Sequence, residues 1–149
     1  MKEVVFNKGH VLFDEKSSTQ DEAFERIAEL ANELGFVTSS ASFERDLKER
    51  EAEATTGFKD GIAIPHGKSN DVLKSGVFVI KYSNPIEWNA LDQKPVEVAI
   101  ALTIPEEGGQ EHLKILSKIS RKLLDKEFIR GLKESTNTDE IVNIINEIE

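Results

Sequence analysis

Val96-Glu97-Val98-Ala99-Ile100-Ala101-Leu102-Thr103-Ile104 is the stretch on which the fold turns. It is short, rich in β-branched residues and almost wholly apolar. A strand with one wet face alternates apolar and polar side chains, whereas a strand covered on both faces does not need to. The run therefore predicts a central strand with helices above and below. Glu97 and Thr103 interrupt it, and it is far short of the ~20 apolar residues a membrane-spanning helix requires.

Upstream, Gly76 opens a strand over Val77 to Tyr82, with Phe78, Ile80 and Tyr82 on one alternating face. Ile86 to Leu91, followed by the turn residues Asp92-Gln93-Lys94, predicts a hairpin into the central strand. Ile62-Ala63-Ile64 reads as a short buried strand ended by Pro65, with His66-Gly67 just beyond it. Val4 to Phe6 and Val11 to Phe13 are further apolar stretches. Thr19 and Glu22 form a capping box ahead of Ala23, Phe24, Ile27, Leu30, Ala31 and Leu34, and Gly35 stops that helix. A second helix is expected over Ser42 to Ala54, with Phe43 and Leu47 inward, leading into the turn-rich Thr56 to Gly61.

Downstream, Pro105 to Gln110 reads as a loop. Helical spacing resumes at Leu113, Leu116, Ile119 and Leu123, and again at Phe128, Ile129 and Leu132. A last helix is expected from Thr138 as its cap, with Ile141, Ile144, Ile145 and Ile148 inward. Helices at both ends and strands in the middle make one α/β domain over 1–149, a mixed β-sheet flanked by helices on both faces.

Nineteen basic against 28 acidic residues leave a formal charge of −9, without a dense basic stripe. Nucleic acid would be repelled, and no nucleic-acid partner is expected. No Cys is present, which removes disulfides, thiolate nucleophiles and Cys-based zinc sites. Lys2 and Glu3 precede no apolar segment of the kind a secretory signal has, so a cytoplasmic chain without membrane insertion is expected. Phosphate-binding P-loop, dinucleotide and serine-hydrolase motifs are absent.

The chemistry then rests on three histidines, at 10, 66 and 112. His66 follows a strand that ends at a proline, and Gly61 and Gly67 flank it, so backbone N–H groups could approach an anion. A neutral imidazole can attack phosphorus without an external base. A plain surface histidine beside a turn fits the same residues equally well. His112 falls at the start of a helix, where anions are favoured. Two histidines without a third ligand fall short of a metal site. His10, in an apolar segment, reads as structural, and Trp88 reads as strand packing.

Gly61-Ile62-Ala63-Ile64-Pro65-His66-Gly67 resembles the active-site segment of enzyme IIA domains of the fructose–mannitol class of the sugar phosphotransferase system. The similarity runs on through Arg50-Glu51-Ala52, Thr56-Gly57, Pro85-Ile86-Glu87-Trp88, Leu91-Asp92, Pro95-Val96 and Pro105 to His112-Leu113. It implies a phosphotransferase that works through a phosphohistidine. His66 would accept a phosphoryl group on Nε2 from the carrier HPr and pass it to a IIB component, which in this class uses a cysteine. A membrane IIC component, reached only indirectly, would choose the sugar, with fructose the default and mannitol open. No metal or nucleotide cofactor is implied. Arg50 matches an arginine position near the active site and His112 the second active-site histidine, so both are expected to stabilise phosphate. Thr56, Gly61 and Gly67 are minor candidates, as are Lys68 and Ser69. The same resemblance admits a regulatory, nitrogen-type IIA that signals through its phosphorylation state.

Overall fold

The computed structural model describes residues 4–148, so Lys2 and Glu3 lie outside it. A turn of 3₁₀ helix at Lys8–His10 leads into β1 (Val11–Asp14), then α1 (Gln20–Glu33) and α2 (Ser40–Glu53). Two short strands follow, β2 (Ile62–Ala63) and β3 (His66–Ser69), and then the long β4 (Gly76–Ile86) and β5 (Val96–Pro105). The chain ends in α3 (Gly109–Lys122), α4 (Lys126–Glu134) and α5 (Thr138–Asn146).

The strands form one mixed sheet in the order β1-β4-β5-β2, with β3 also on β5. β4 and β5 run antiparallel, whereas β1 on β4, and β2 and β3 on β5, run parallel. β5 is central, as its composition predicts, and residues 98–102 along it are buried. Its side chains divide between two cores. Val98, Ile100, Leu102 and Ile104 pack with Ile115, Ile119, Leu123, Leu132 and Ile141 of the three C-terminal helices. Ala99 and Ala101 join Phe78, Ile80 and Tyr82 against Phe24, Ile27, Phe43 and Leu47 of α1 and α2. Truncating a fully buried isoleucine such as Ile100 to alanine should cost ~2–5 kcal/mol.

Thr19 caps α1 with the reciprocal Glu22 capping box that the sequence predicts, and Gly35, at φ +82°, ends it. α2 starts earlier than its apolar spacing indicates, because Ser39 accepts the Ser42 N–H and caps it. The cap of α5 is Asn137, one residue before the expected Thr138, since its side-chain oxygen accepts the Glu140 N–H.

Two further expectations need correction. The hairpin arm is not a strand from Ile86 to Leu91. β4 ends at Ile86, and Trp88 turns inward to lie buried in the loop that leads to β5. Leu113 is 62% exposed rather than part of the core. Pro65 does not take the chain out of the sheet, although His66 does lie beyond the end of β2. Pro65 lacks an N–H, but its carbonyl accepts the Leu102 N–H (3.0 Å), so the chain stays on β5 and His66 begins β3 opposite Leu102.

Candidate functional site

β3 lies along one edge of β5, and α2 packs against it at very close range. A Cβ on Gly67 would come within 2.7 Å of the Phe43 ring and 3.0 Å of the Asp46 Cβ. Gly67 therefore serves helix–strand approach. Gly61, at φ +83°, bends the chain into β2, and its carbonyl accepts the Glu97 and Val98 N–H groups at 2.7 and 3.0 Å.

The same close approach brings the C-terminal turn of α2 onto His66. Nδ1 of His66 lies 2.9 Å from the Ile64 carbonyl oxygen. A carbonyl can only accept, so the ring proton sits on Nδ1 and the lone pair on Nε2. Arg50 Nε–H points at that lone pair from 3.1 Å, and Arg50 Nη1 donates to the Ala54 carbonyl at 2.8 Å. Burial holds the His66 pKa below the ordinary 6.5, and the Arg50 charge adds to this, while the Ile64 hydrogen bond opposes it. The ring is neutral near pH 7, with its nucleophilic nitrogen beside a guanidinium.

His66 and Arg50 open onto a cavity of about 420 Å³ shared with Asp46, Glu49, Glu53, Lys68, Ile104, Leu113 and Leu116. Asp46, Glu49, Arg50 and Glu53 are spaced along one face of α2, a polar stripe that the sequence carried in plain view. Asp46 has its carboxyl raised by burial, and its Oδ2 accepts the Ser69 hydroxyl at 2.5 Å. Ser69 is thus committed to Asp46, whereas Lys68 does face the cavity. Thr56 is buried and touches Glu51 and Trp88.

His112 has partners other than His66 at both ring nitrogens. Its Nδ1 pairs with the Ser75 hydroxyl and its Nε2 lies 3.2 Å from the Glu107 carbonyl oxygen. It lines a neighbouring cavity with Lys74, Ser75, Pro105, Glu106 and Glu107. Ser75 is placed there by Thr103 of β5, whose hydroxyl donates to the Lys74 carbonyl at 2.9 Å. His10 is structural: it is buried, its Nδ1 is 2.9 Å from the Val77 carbonyl oxygen, and its ring stacks on Phe78. Among the described residues, no group of three or more His, Asp or Glu side chains is arranged to hold a metal ion. Among the described residues, no helix is long and apolar enough to cross a membrane.

Residues 4–148 match the family model described as phosphoenolpyruvate-dependent sugar phosphotransferase system, EIIA 2. The chain is 35% identical over 122 residues to a fructose-like EIIA component of that system from Escherichia coli, which covers 82% of each chain. It is 39% identical over 127 residues to a nitrogen regulatory protein of Klebsiella oxytoca, 84% of this chain and 77% of that one. Among solved structures it is similar to the nitrogen regulatory protein IIA-Ntr from Neisseria meningitidis (TM-score 0.85, 29% identity, 93% and 94% of the two chains). Its fold also matches enzyme IIAMtl in complex with phosphorylated IIBMtl from Escherichia coli (TM-score 0.81, 20% identity, 95% and 97%). With the family model matched over nearly its whole length and mixed-sheet topology to suit, the chain belongs to the EIIA 2 family of the phosphoenolpyruvate-dependent sugar phosphotransferase system.

Proposed function

We propose that the chain is a cytoplasmic phosphoryl carrier: Nε2 of His66 accepts a phosphoryl group from phospho-HPr and yields it to a IIB component. The observation that carries this reading is the division of labour on one ring. Nδ1–H is held by the Ile64 carbonyl and Nε2 is turned toward Arg50. As the new Nε2–P bond forms, the N–P bond of the donor breaks and its electron pair returns to the donor ring. Before the new bond forms, Arg50 releases the lone pair and turns its N–H groups to phosphoryl oxygens, where a planar fork binds well. Catalysis is positioning and charge neutralisation, as in other phosphoryl transfers. The Ile64 carbonyl keeps the proton on Nδ1, so the phosphorylated ring stays a cation and a good leaving group for the next transfer.

The walls favour a protein donor over free phosphate. Asp46, Glu49 and Glu53 repel a small dianion, while exposed Leu113 and half-buried Leu116 offer apolar surface at the mouth. His112 bears on phosphate in this scheme only by leaving Ser75 and Glu107, which makes it a lesser contributor than Arg50. The IIB complex of the fold relative supports a IIB partner and the fructose-like relative supports a fructose-like sugar, which a membrane IIC component would select.

Incubation with phosphoenolpyruvate, enzyme I and HPr should load one acid-labile, base-stable phosphoryl group, and His66→Ala should load none. A labelled His66→Ala variant would overturn the assignment. The similarity to nitrogen regulatory proteins supports a second reading, a carrier whose phosphorylation state signals. Loaded protein that discharges to no IIB component would favour that reading.

A further inference from the structure

Thr56 touches neither the cavity nor, at 8% exposure, much solvent, yet its polar atoms are all engaged. Its backbone N–H donates to Glu51 Oε2 at 2.8 Å and its hydroxyl to Glu51 Oε1 at 2.5 Å. The Trp88 indole N–H donates to the same hydroxyl oxygen at 3.1 Å, which leaves the hydroxyl proton directed at Glu51. The Thr56 carbonyl accepts the Ile64 N–H at 2.9 Å, and the Ile64 carbonyl accepts His66 Nδ1–H at 2.9 Å. His66 Nε2 accepts Arg50 Nε–H at 3.1 Å, and Arg50 is bonded in sequence to Glu51.

These links close on themselves. Starting from Arg50, the path runs through both nitrogens of His66, the two polar groups of the Ile64 backbone, Thr56 and Glu51, and back to Arg50. We infer that Thr56 is a positioning residue for phosphoryl acceptance, its hydroxyl doubling the backbone link to Glu51 that closes a ring of hydrogen bonds and so keeping the Arg50 guanidinium in register with the imidazole of His66. The inference rests on the reading of His66 as the acceptor. Without the hydroxyl, one Glu51 oxygen loses its donor, and the last turn of α2 loses half of its tie to the segment that also fixes Ile64. Only the Thr56 backbone N–H then joins Glu51 to that segment, so the frame shared by the guanidinium and the imidazole is loosened, and a misplacement of about 1 Å can cost transfer chemistry about 100-fold.

Two kinds of measurement separate this role from mere packing. In steady-state phosphorylation by phospho-HPr, Thr56→Val should lower kcat about tenfold with KM for the donor unchanged, and Thr56→Ser should restore kcat. In the unphosphorylated protein, the Arg50 Nε–H proton resonance should be protected in the wild type and Thr56→Ser, and lost to solvent exchange in Thr56→Val. Trp88→Phe, which leaves the ring of bonds closed, should transfer at close to the wild-type rate. A folded Thr56→Val variant with wild-type kcat and a protected Arg50 Nε–H overturns the inference. So does a Trp88→Phe variant as slow as Thr56→Val. Should Thr56→Val not fold, Glu51→Gln, which removes one of the two acceptor oxygens, decides by the same readouts. The resonance needs no phosphoryl transfer, so a failure of His66 as acceptor remains distinct from a failure of the ring.

Discussion

His66, on β3, and His112, bonded to the segment that leads into β4, each have both ring nitrogens engaged, but with different partners. At both rings one nitrogen lies against a backbone carbonyl, Ile64 for His66 and Glu107 for His112. The difference lies at the other nitrogen. His66 Nε2 faces a guanidinium, whereas His112 Nδ1 faces the neutral hydroxyl of Ser75. A guanidinium can move from lone pair to phosphoryl oxygens and neutralise their charge, but a hydroxyl brings no charge. In the proposed carrier, environment, not residue type, assigns the roles.

Removing the guanidinium is the strongest way to erase that difference. Arg50→Ala should slow phosphorylation of His66 by about 100-fold, within the range for loss of one charged transition-state donor. Arg50→Lys should recover only part of it, because an ammonium lacks the bidentate fork. Stopped-flow transfer from phospho-HPr measures both; a wild-type rate in Arg50→Ala would make the two histidines equivalent.

Acidity should sharpen the contrast. Burial first, then the Arg50 charge, holds the His66 pKa below 6.5, so the ring stays neutral at pH values where an ordinary histidine is half protonated. The acceptance rate should hold level as pH falls past that value and drop only at lower pH. In Arg50→Ala the acid limb should move upward, since the Arg50 charge that helps to hold the pKa down is gone. Stability follows the same sign. The unfolded chain takes up the proton first as pH falls below 6.5, so the contribution of His66 to folding is level above that pH and is lost toward the lower folded pKa. A rate limb at or above the ordinary value would contradict the desolvated neutral ring.

The smallest effect is expected at the other histidine. His112→Ala should slow transfer only a few-fold, about 1 kcal/mol or less by the usual conversion, because its ring is held by Ser75 and Glu107. Ser75→Ala should act through the same contact and be no larger. A loss as great as that of Arg50→Ala would mean that His112 enters the His66 cavity during transfer.

Much of the fold was legible because its signals are local. The apolar run of β5, the Thr19–Glu22 box and the repeats in α3 to α5 act within a turn or two of chain. β3 was not, since His-Gly-Lys-Ser has no strand-like side chains and is held to β5 by its backbone alone. The pairing of Arg50 with His66 has no local signal either. It needs Gly67, which lets α2 close on β3, and that need appears only once helix and strand are side by side. His112 shows the converse: its position at the head of α3 was readable, but its direction depends on how the loop at Glu107 and the segment at Ser75 meet.

The most direct test is to load ¹⁵N-histidine-labelled protein through phosphoenolpyruvate, enzyme I and HPr and to locate the phosphorus–nitrogen bond by ³¹P and ¹⁵N NMR. A single adduct on Nε2 of His66, with its proton retained on Nδ1, is the expected spectrum. Phosphorus bonded to Nδ1, or to His112 instead, would contradict it.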